Sequence, residues 1–137
     1  EGELLREGGD ALILAIGSRV HACLAAAEAA ERETGKAVAV FNARFVKPLP
    51  ETQILAHTRG VEKILIVEEN ARMGGFSSAV LECLADNDAL QGKKIVRLGL
   101  PDAFIEHGPQ KSLRALAGLD QQGVKASLLA LLAQPAA

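Results

Sequence analysis

Two adjacent glutamates, Glu68 and Glu69, directly follow the segment Val61–Val67, which is predicted to be a buried strand. Paired carboxylates at such a position are suited to acid–base chemistry or to a phospho-receiver site. A receiver site also needs a carboxylate at the end of the first main strand, but Asp10 precedes that strand. The alternative is structural, with one glutamate solvated and the other capping a loop, and the sequence favours it.

The three histidines, His21, His57 and His107, are far apart and are not spaced with cysteine as zinc ligands are. His21 and His57 fall in predicted helices, where a solvated or capping role is the default. His107 follows a predicted strand end, in a loop with Glu106 and Gly108, and is the one histidine of functional interest. No Ser-His-Asp or Cys-His arrangement can be argued from the spacings, so the sequence offers no complete catalytic set.

Glycine-rich phosphate loops are not evident in the sequence either. Gly17 has no partner glycine at the spacing of a dinucleotide fingerprint, and no Walker sequence occurs. Gly74 and Gly75 precede a predicted helix and would present backbone N–H groups to an anion, but two glycines favour a tight turn. The sequence therefore predicts no cofactor-binding and no metal-binding residue in this chain.

A regular alternation of apolar runs and helical patterns must position these residues. Continuous apolar runs predict four buried strands, and Leu4 with Leu5 predicts a short extra one. Helical patterns lie between and after the strands, with Ser18 as the N-cap of the first helix and Gly35 as its end. This order predicts βαβ units and a mainly parallel sheet covered on both faces. The predicted strands are Ala11–Ile16, Ala37–Phe41, Val61–Val67 and Lys94–Leu98, and the predicted helices are Ser18–Thr34, Glu51–Thr58, Ser77–Asp86, Pro109–Ala117 and Asp120–Ala133.

Composition excludes several classes of function. The chain has 137 residues, of which 49% are hydrophobic, enough for one domain with a buried core. Its 15 basic and 17 acidic side chains give a net charge of −2, which argues against nucleic acid or an anionic membrane as a partner. No apolar run approaches the roughly 20 residues that span a bilayer. Cys23 and Cys83 fall in apolar helical patterns and are expected to be reduced thiols of a cytoplasmic protein.

Open parallel sheets place ligands and partners beyond the carboxyl ends of their strands. The loops predicted there are rich in charge and glycine, and three of the four phenylalanines lie in or beside them. A loop phenylalanine ordinarily packs beneath its own chain, but three at one edge favour burial against another domain or subunit. In that interface Arg44 and Lys47 are expected to pair with some of the acids. The interface candidates are Arg44, Phe45, Lys47, Glu68, Glu69, Phe76, Asp102, Phe104, Glu106 and His107.

Three motifs, in order along the chain, carry a family resemblance. They are Asn42–Leu49, then Val67–Asn70 with Met73–Gly75, then Leu98–Gly108. Together they resemble the C-terminal domain of the 1-deoxy-D-xylulose-5-phosphate synthase family, within the transketolase superfamily. The opening Gly2–Gly9 and the closing Ala117–Asp120 also fit, so the resemblance covers nearly the whole chain.

The resemblance implies a three-layer α/β/α sandwich with a five-stranded sheet, mostly parallel with one antiparallel edge strand. It also implies a parent enzyme, a cytoplasmic homodimer of three-domain subunits. With thiamine diphosphate and Mg²⁺, that enzyme condenses pyruvate and glyceraldehyde 3-phosphate to 1-deoxy-D-xylulose 5-phosphate and CO₂, the entry to isoprenoid and thiamine biosynthesis.

The family's cofactor-binding motifs do not match this chain. In the family a Gly-Asp-Gly motif with a downstream Asn belongs to the first domain, and the glutamate that activates the aminopyrimidine belongs to the second. Gly8–Asp10 has the wrong order for that metal motif. No catalytic residue carries over, so the chain alone is expected to be inactive and to bind no cofactor. Its expected partners are the other two domains and a second subunit.

Two positions depart from the family pattern, and three alternatives stay open. Pro50 stands where many relatives carry an aspartate that caps the next helix, and Ala103 replaces a large, often basic side chain. The absence of an initiator Met before Glu1 favours residues 1–137 being one domain of a longer enzyme. The alternatives are the matching domain of a transketolase, that of a 2-oxo acid dehydrogenase beta subunit, or a free-standing flavodoxin-like binding module.

Overall fold

The computed structural model describes residues 1–44, 48–68, 75–99 and 120–135. Strands and helices alternate there as the sequence predicts, and a short 3-10 turn over Gly17–Arg19 joins the second strand to the first helix. The predicted helix Pro109–Ala117 lies outside the described residues. The strands are β1 (Glu3–Arg6), β2 (Ala11–Ile16), β3 (Val38–Asn42), β4 (Lys63–Glu68) and β5 (Lys94–Leu98), and the helices are α1 (Val20–Thr34), α2 (Glu51–Thr58), α3 (Gly75–Asp86) and α4 (Gln121–Ala133).

The five strands form one sheet in the order β1-β3-β2-β4-β5. β3, β2, β4 and β5 run parallel to one another, and β1 pairs antiparallel with β3 at one edge. The three central strands bury nearly every side chain, because helices cover both faces of the sheet. The predicted mostly parallel sheet with one antiparallel edge strand is confirmed.

An apolar cluster on each face of the sheet completes the three layers. One cluster joins the sheet to α1 and α4, with Ala27 and Leu128 among its buried members. The other joins it to α2 and α3, with Ile54 and Leu84 fully buried. None of the helices in the described ranges is long and apolar enough to cross a membrane. The predicted three-layer α/β/α sandwich is confirmed.

The C-terminal end of α1 agrees with the prediction, and its N-terminal end does not. Gly35 ends the helix in the left-handed region, with φ 75°, and donates its backbone N–H to the Glu31 carbonyl. The prediction that Ser18 is the N-cap residue is wrong, since α1 begins at Val20 and its N-cap residue is Arg19. Gly17, with φ 78°, starts the 3-10 turn, and the extra turn places Ser18 one residue before the cap position.

The starts of the other helices depend on the residue at the N-cap. Asp120 caps α4, because its carboxylate accepts a hydrogen bond of 2.8 Å from the backbone N–H of Gly123. α2 has the predicted bounds but no side-chain cap, since its N-cap residue is Pro50, which has no side-chain oxygen. α3 begins at Gly75, two residues before the predicted start at Ser77.

At the amino ends of two strands, two lysines donate hydrogen bonds to carbonyl oxygens at the C-terminal ends of helices. Lys63, the first residue of β4, donates from Nζ to the carbonyl oxygens of Leu132 and Gln134 at the end of α4, at 2.9 and 2.6 Å. Lys93, directly before β5, donates to the carbonyl oxygen of Thr58 at the end of α2, and partial burial lowers its pKa. Such cations stabilise the last carbonyls of a helix, which lack partners within it.

Both cysteines are buried and free. Burial raises the pKa of the Cys23 thiol to about 12, against the opposing charge of Arg19. Burial also raises the pKa of the Cys83 thiol, and the carboxylates of Glu51 and Asp86 raise it further. Both side chains are therefore protonated thiols at neutral pH, as expected of core cysteines.

Candidate functional site

The carboxyl ends of the parallel strands lie side by side, at what we call the carboxyl edge of the sheet. Ile16 pairs with Glu68 and Ala15 with Asn42, so β2, β3 and β4 end next to one another. β5 ends beside β4 at Leu98. Three of the interface candidates are described, namely Arg44, Glu68 and Phe76, and seven lie outside the described residues, namely Phe45, Lys47, Glu69, Asp102, Phe104, Glu106 and His107.

Glu68 is the last residue of β4 and is only 4% exposed. Its carboxylate accepts hydrogen bonds from two backbone N–H groups in the first turn of α3, that of Phe76 at 3.0 Å and that of Ser77 at 3.1 Å. The Ser77 hydroxyl donates a third, at 2.9 Å. A carboxylate at a helix N-terminus is stabilised by these donors and by the helix dipole. Glu68 is therefore the cap of α3.

These bonds separate the two roles considered for Glu68. A general acid or base must lie within hydrogen-bond reach of the proton that it transfers, which a side chain closed off from solvent and held by its own helix does not offer. Both carboxylate oxygens of Glu68 accept hydrogen bonds from α3, and the side chain is buried. The arrangement joins the end of β4 to the start of α3, which is the capping role and not the acid–base role.

Ser77 extends this network to β5. Its hydroxyl donates to Glu68 and accepts a hydrogen bond of 3.0 Å from Nε of Arg97. A carboxylate, a hydroxyl and a guanidinium thus connect β4, α3 and β5. Ser77 and Arg97 are not among the residues predicted from the sequence, because their contact joins separate elements and leaves no local pattern in the chain.

Phe76 does not present an aromatic surface to a neighbour. It lies in the first turn of α3, is 1% exposed, and belongs to the apolar cluster beneath α2 and α3. The sequence analysis placed Phe76 in a loop because it started the helix at Ser77, whereas α3 starts at Gly75. Phe76 and the buried Glu68 are therefore part of this chain's own core and cap.

Arg44 follows β3 with its backbone in the left-handed region, at φ 66°. This conformation is uncommon for a residue with a side chain, and here the Asn42 side chain accepts a hydrogen bond of 3.0 Å from the Arg44 backbone N–H. The guanidinium pairs with Glu3 of β1 at 2.8 Å, and about half of each side chain is exposed. The acid that Arg44 contacts in the described residues therefore belongs to the edge strand and not to the predicted edge acids.

Arg19 is a second arginine at the carboxyl edge, and the sequence analysis did not single it out. It follows β2, is 8% exposed, and is the N-cap residue of α1. Its charge lies close enough to Cys23 to lower the pKa of that thiol against the larger effect of burial. The only signal in the sequence is an arginine shortly after a fully apolar strand.

The described histidines do not form a site. His21 is exposed on α1, and His57 is half-buried on α2 with its ring centroid 5.1 Å from that of Phe41. In the described ranges, no three His, Cys, Asp or Glu side chains are grouped to hold a metal ion. The side chains that the structure places do not fit a metal–diphosphate site.

The sequence matches known proteins along nearly its whole length. A family model described as "Transketolase, C-terminal domain" matches residues 1–124. Over 96% of this chain, the 1-deoxy-D-xylulose-5-phosphate synthase of Oleidesulfovibrio alaskensis is 56% identical and that of Lawsonia intracellularis is 47% identical. The matches cover 20% and 21% of those two proteins, so the chain spans about one fifth of the length of these curated relatives.

Solved structures agree with the sequence matches. A split-gene transketolase, described as an inactive beta4 tetramer, superposes with a TM-score of 0.83 and 30% identity, covering 96% of this chain and 42% of its own. A transketolase from Campylobacter jejuni superposes with a TM-score of 0.64 and 21% identity over 94% of this chain and 18% of its own, which shows the shared fold. The predicted resemblance is confirmed, and the chain belongs to the transketolase C-terminal domain family.

Proposed function

We propose that this chain is the C-terminal domain of a thiamine diphosphate-dependent 1-deoxy-D-xylulose-5-phosphate synthase. The proposed parent condenses pyruvate with glyceraldehyde 3-phosphate and releases CO₂. The identity of 56% over 96% of the chain to a protein of that name carries the proposal. The identity of 30% to a transketolase is lower and makes a transketolase parent the weaker candidate.

In this proposal the chain is a structural and interface domain of a cytoplasmic homodimer, and it is inactive alone. The carboxylate of Glu68 supports the structural role, because it is used as a helix cap. Thiamine diphosphate with Mg²⁺ would supply the carbanion chemistry from a site in the other two domains. This domain would hold the carboxyl edge of its sheet in place against them.

In this proposal the interface is formed by the candidate residues at the carboxyl edge other than Glu68 and Phe76. Arg44 supports it, because a half-exposed guanidinium there is fixed by a strained backbone and by Glu3. Strain of this kind costs on the order of 1–3 kcal/mol and is typical of functional segments. The remaining proposed contacts are Phe45, Lys47, Glu69, Asp102, Phe104, Glu106 and His107.

We expect the isolated 137-residue chain to bind no thiamine diphosphate in the presence of Mg²⁺. Isothermal titration calorimetry should show no binding heat, and thermal unfolding should be unchanged by the cofactor. The full-length enzyme is the positive control and should bind it and form deoxyxylulose phosphate. A micromolar dissociation constant for the isolated chain, which corresponds to about 8 kcal/mol, would contradict the assignment of the cofactor site to other domains.

In the full-length enzyme, Phe104→Ala should weaken domain or subunit association by roughly 1–3 kcal/mol, because a buried aromatic anchor is lost from the interface. Sedimentation velocity across a dilution series measures this, beside the turnover rate. Phe76→Ala is the contrasting variant, and it should lower thermal stability because that ring is in the core. An unchanged dimer with unchanged activity in Phe104→Ala would show that Phe104 packs only within its own loop.

A further inference from the structure

A surface groove of about 470 Å³ lies beside the first residue of the chain. One part of its wall is apolar and consists of Ala43, Leu49 and the two prolines Pro48 and Pro50. Glu1 and the first turn of α2 complete the lining. The groove therefore has an apolar side and a polar side, and its lining does not include the residues of the network around Glu68.

The polypeptide is fixed where it leaves this groove. The side-chain amide of Gln53 accepts a hydrogen bond of 2.8 Å from the Gly2 backbone N–H and donates one of 3.0 Å to the Gly2 carbonyl oxygen. This pair of bonds imitates the pairing of one strand residue with the next strand. Gln53 thus holds both polar groups of Gly2 against the first turn of α2.

Close packing on the other side of Gly2 completes this anchor. A Cβ atom at that position would lie 2.3 Å from Cζ of Phe41 and 2.9 Å from the carbonyl oxygen of Asn42. Only glycine fits between the Phe41 ring and the helix without a shift of its neighbours. The path of the backbone at Gly2 is therefore set by α2 on one side and by β3 on the other.

A residue joined to Glu1 by a peptide bond has its Cα about 3.8 Å from that of Glu1 and so starts at the groove. The first turn of α2 opens onto the same groove without a side-chain cap, because Pro50 is its N-cap residue. The Leu49 carbonyl oxygen already accepts a 2.8 Å hydrogen bond from the Glu51 N–H, and a main-chain carbonyl entering there would be an acceptor for the next N–H groups of that turn. The apolar wall would cover side chains of the same segment.

We propose that the polypeptide preceding Glu1 in the longer enzyme docks in this groove, and that the Gln53–Gly2 pair fixes its path into the domain. This inference rests on the proposed function, which makes the chain one domain of a longer protein. The groove would then hold the interdomain connection close to the domain surface, so that the connection does not act as a free linker.

Hydrogen–deuterium exchange on the full-length enzyme tests the proposal. The backbone N–H groups directly before Glu1 should exchange at least about ten times more slowly than those of an unstructured segment. The reason is that docking would give them hydrogen-bond partners and shield them from water. Thr52→Trp places a large ring in the groove from an exposed position of its lining and should remove that protection. Ala85→Trp is the matched control, at an exposed position of α3 that does not line the groove, and should leave the protection intact.

The outcomes keep this proposal separate from the proposed function. Free exchange before Glu1 in a wild-type enzyme that forms deoxyxylulose phosphate would overturn the groove proposal and leave the function standing. Equal protection in wild type, Thr52→Trp and Ala85→Trp would also overturn it, because the segment before Glu1 would then be protected by a surface other than the groove. Protection in a wild-type protein that forms no deoxyxylulose phosphate would support the groove and contradict the function. The wild-type measurement needs no substitution, so a poorly folded variant does not prevent the test.

Discussion

Replacing Glu68 with alanine is expected to lower the free energy of unfolding by about 2–4 kcal/mol. The substitution removes the carboxylate that accepts hydrogen bonds from the backbone N–H groups of Phe76 and Ser77 in a buried site. Unsatisfied buried donors cost more than the net value of the bonds they lose. Urea denaturation of the 137-residue chain measures the change, since its two closed apolar clusters are expected to let it fold alone.

Two further variants test whether the loss of stability comes from the loss of the cap. Glu68→Gln keeps one acceptor oxygen but directs an NH₂ group toward the helix donors, so it should fall between wild type and Glu68→Ala. Glu82→Ala removes an exposed carboxylate from the same helix and should change stability by no more than about 0.5 kcal/mol. Equal stability of Glu68→Ala and Glu82→Ala would show that Glu68 is not the cap of α3.

Gly8→Ala is expected to destabilise the fold by about 2–3 kcal/mol, the upper part of the range for overpacking. A Cβ atom at Gly8 would lie 2.5 Å from the backbone nitrogen of Val38 and 2.6 Å from the carbonyl carbon of Ala37. These are main-chain atoms, so no side-chain rotation relieves the contact. Relief requires a shift at the start of β3, where Asp10 accepts a 2.7 Å bond from the Ala37 N–H.

The neighbouring glycine provides a control at the next position in the chain. No atom lies within 4 Å of a Cβ built at Gly9, so Gly9→Ala should be neutral or stabilise by up to about 1 kcal/mol through the unfolded chain. Thermal or urea unfolding of both variants under one set of conditions gives the comparison. If Gly8→Ala and Gly9→Ala have the same stability, the close approach at residues 37–38 is not a constraint on the fold.

The sheet and most helices are predictable because their signals are local. Continuous apolar runs mark strands that are covered on both faces, and β5 has the predicted bounds Lys94–Leu98. A proline pair before a short helical pattern marks α2, and Asp120 before an apolar stripe marks the start of α4. Fold class follows, because alternation of such elements allows few arrangements.

The remaining features depend on contacts between residues far apart in the chain. The sequence analysis kept two roles open for Glu68, and the N–H groups of α3 decide between them. Nothing in the local sequence indicates that Gln53 holds Gly2 or that Gly8 lies against β3. The local sequence likewise does not indicate the 3-10 turn that displaces Ser18 from the N-cap position of α1.

The strand β4 supports helices at both of its ends. Lys63 at its first residue holds the last carbonyls of α4, and Glu68 at its last residue holds the first N–H groups of α3. Neither helix end keeps these partners once the strand leaves the sheet. Helix and sheet formation are thus energetically coupled through a single strand, so the domain should unfold cooperatively, without a populated state in which α3 and α4 persist around a lost β4.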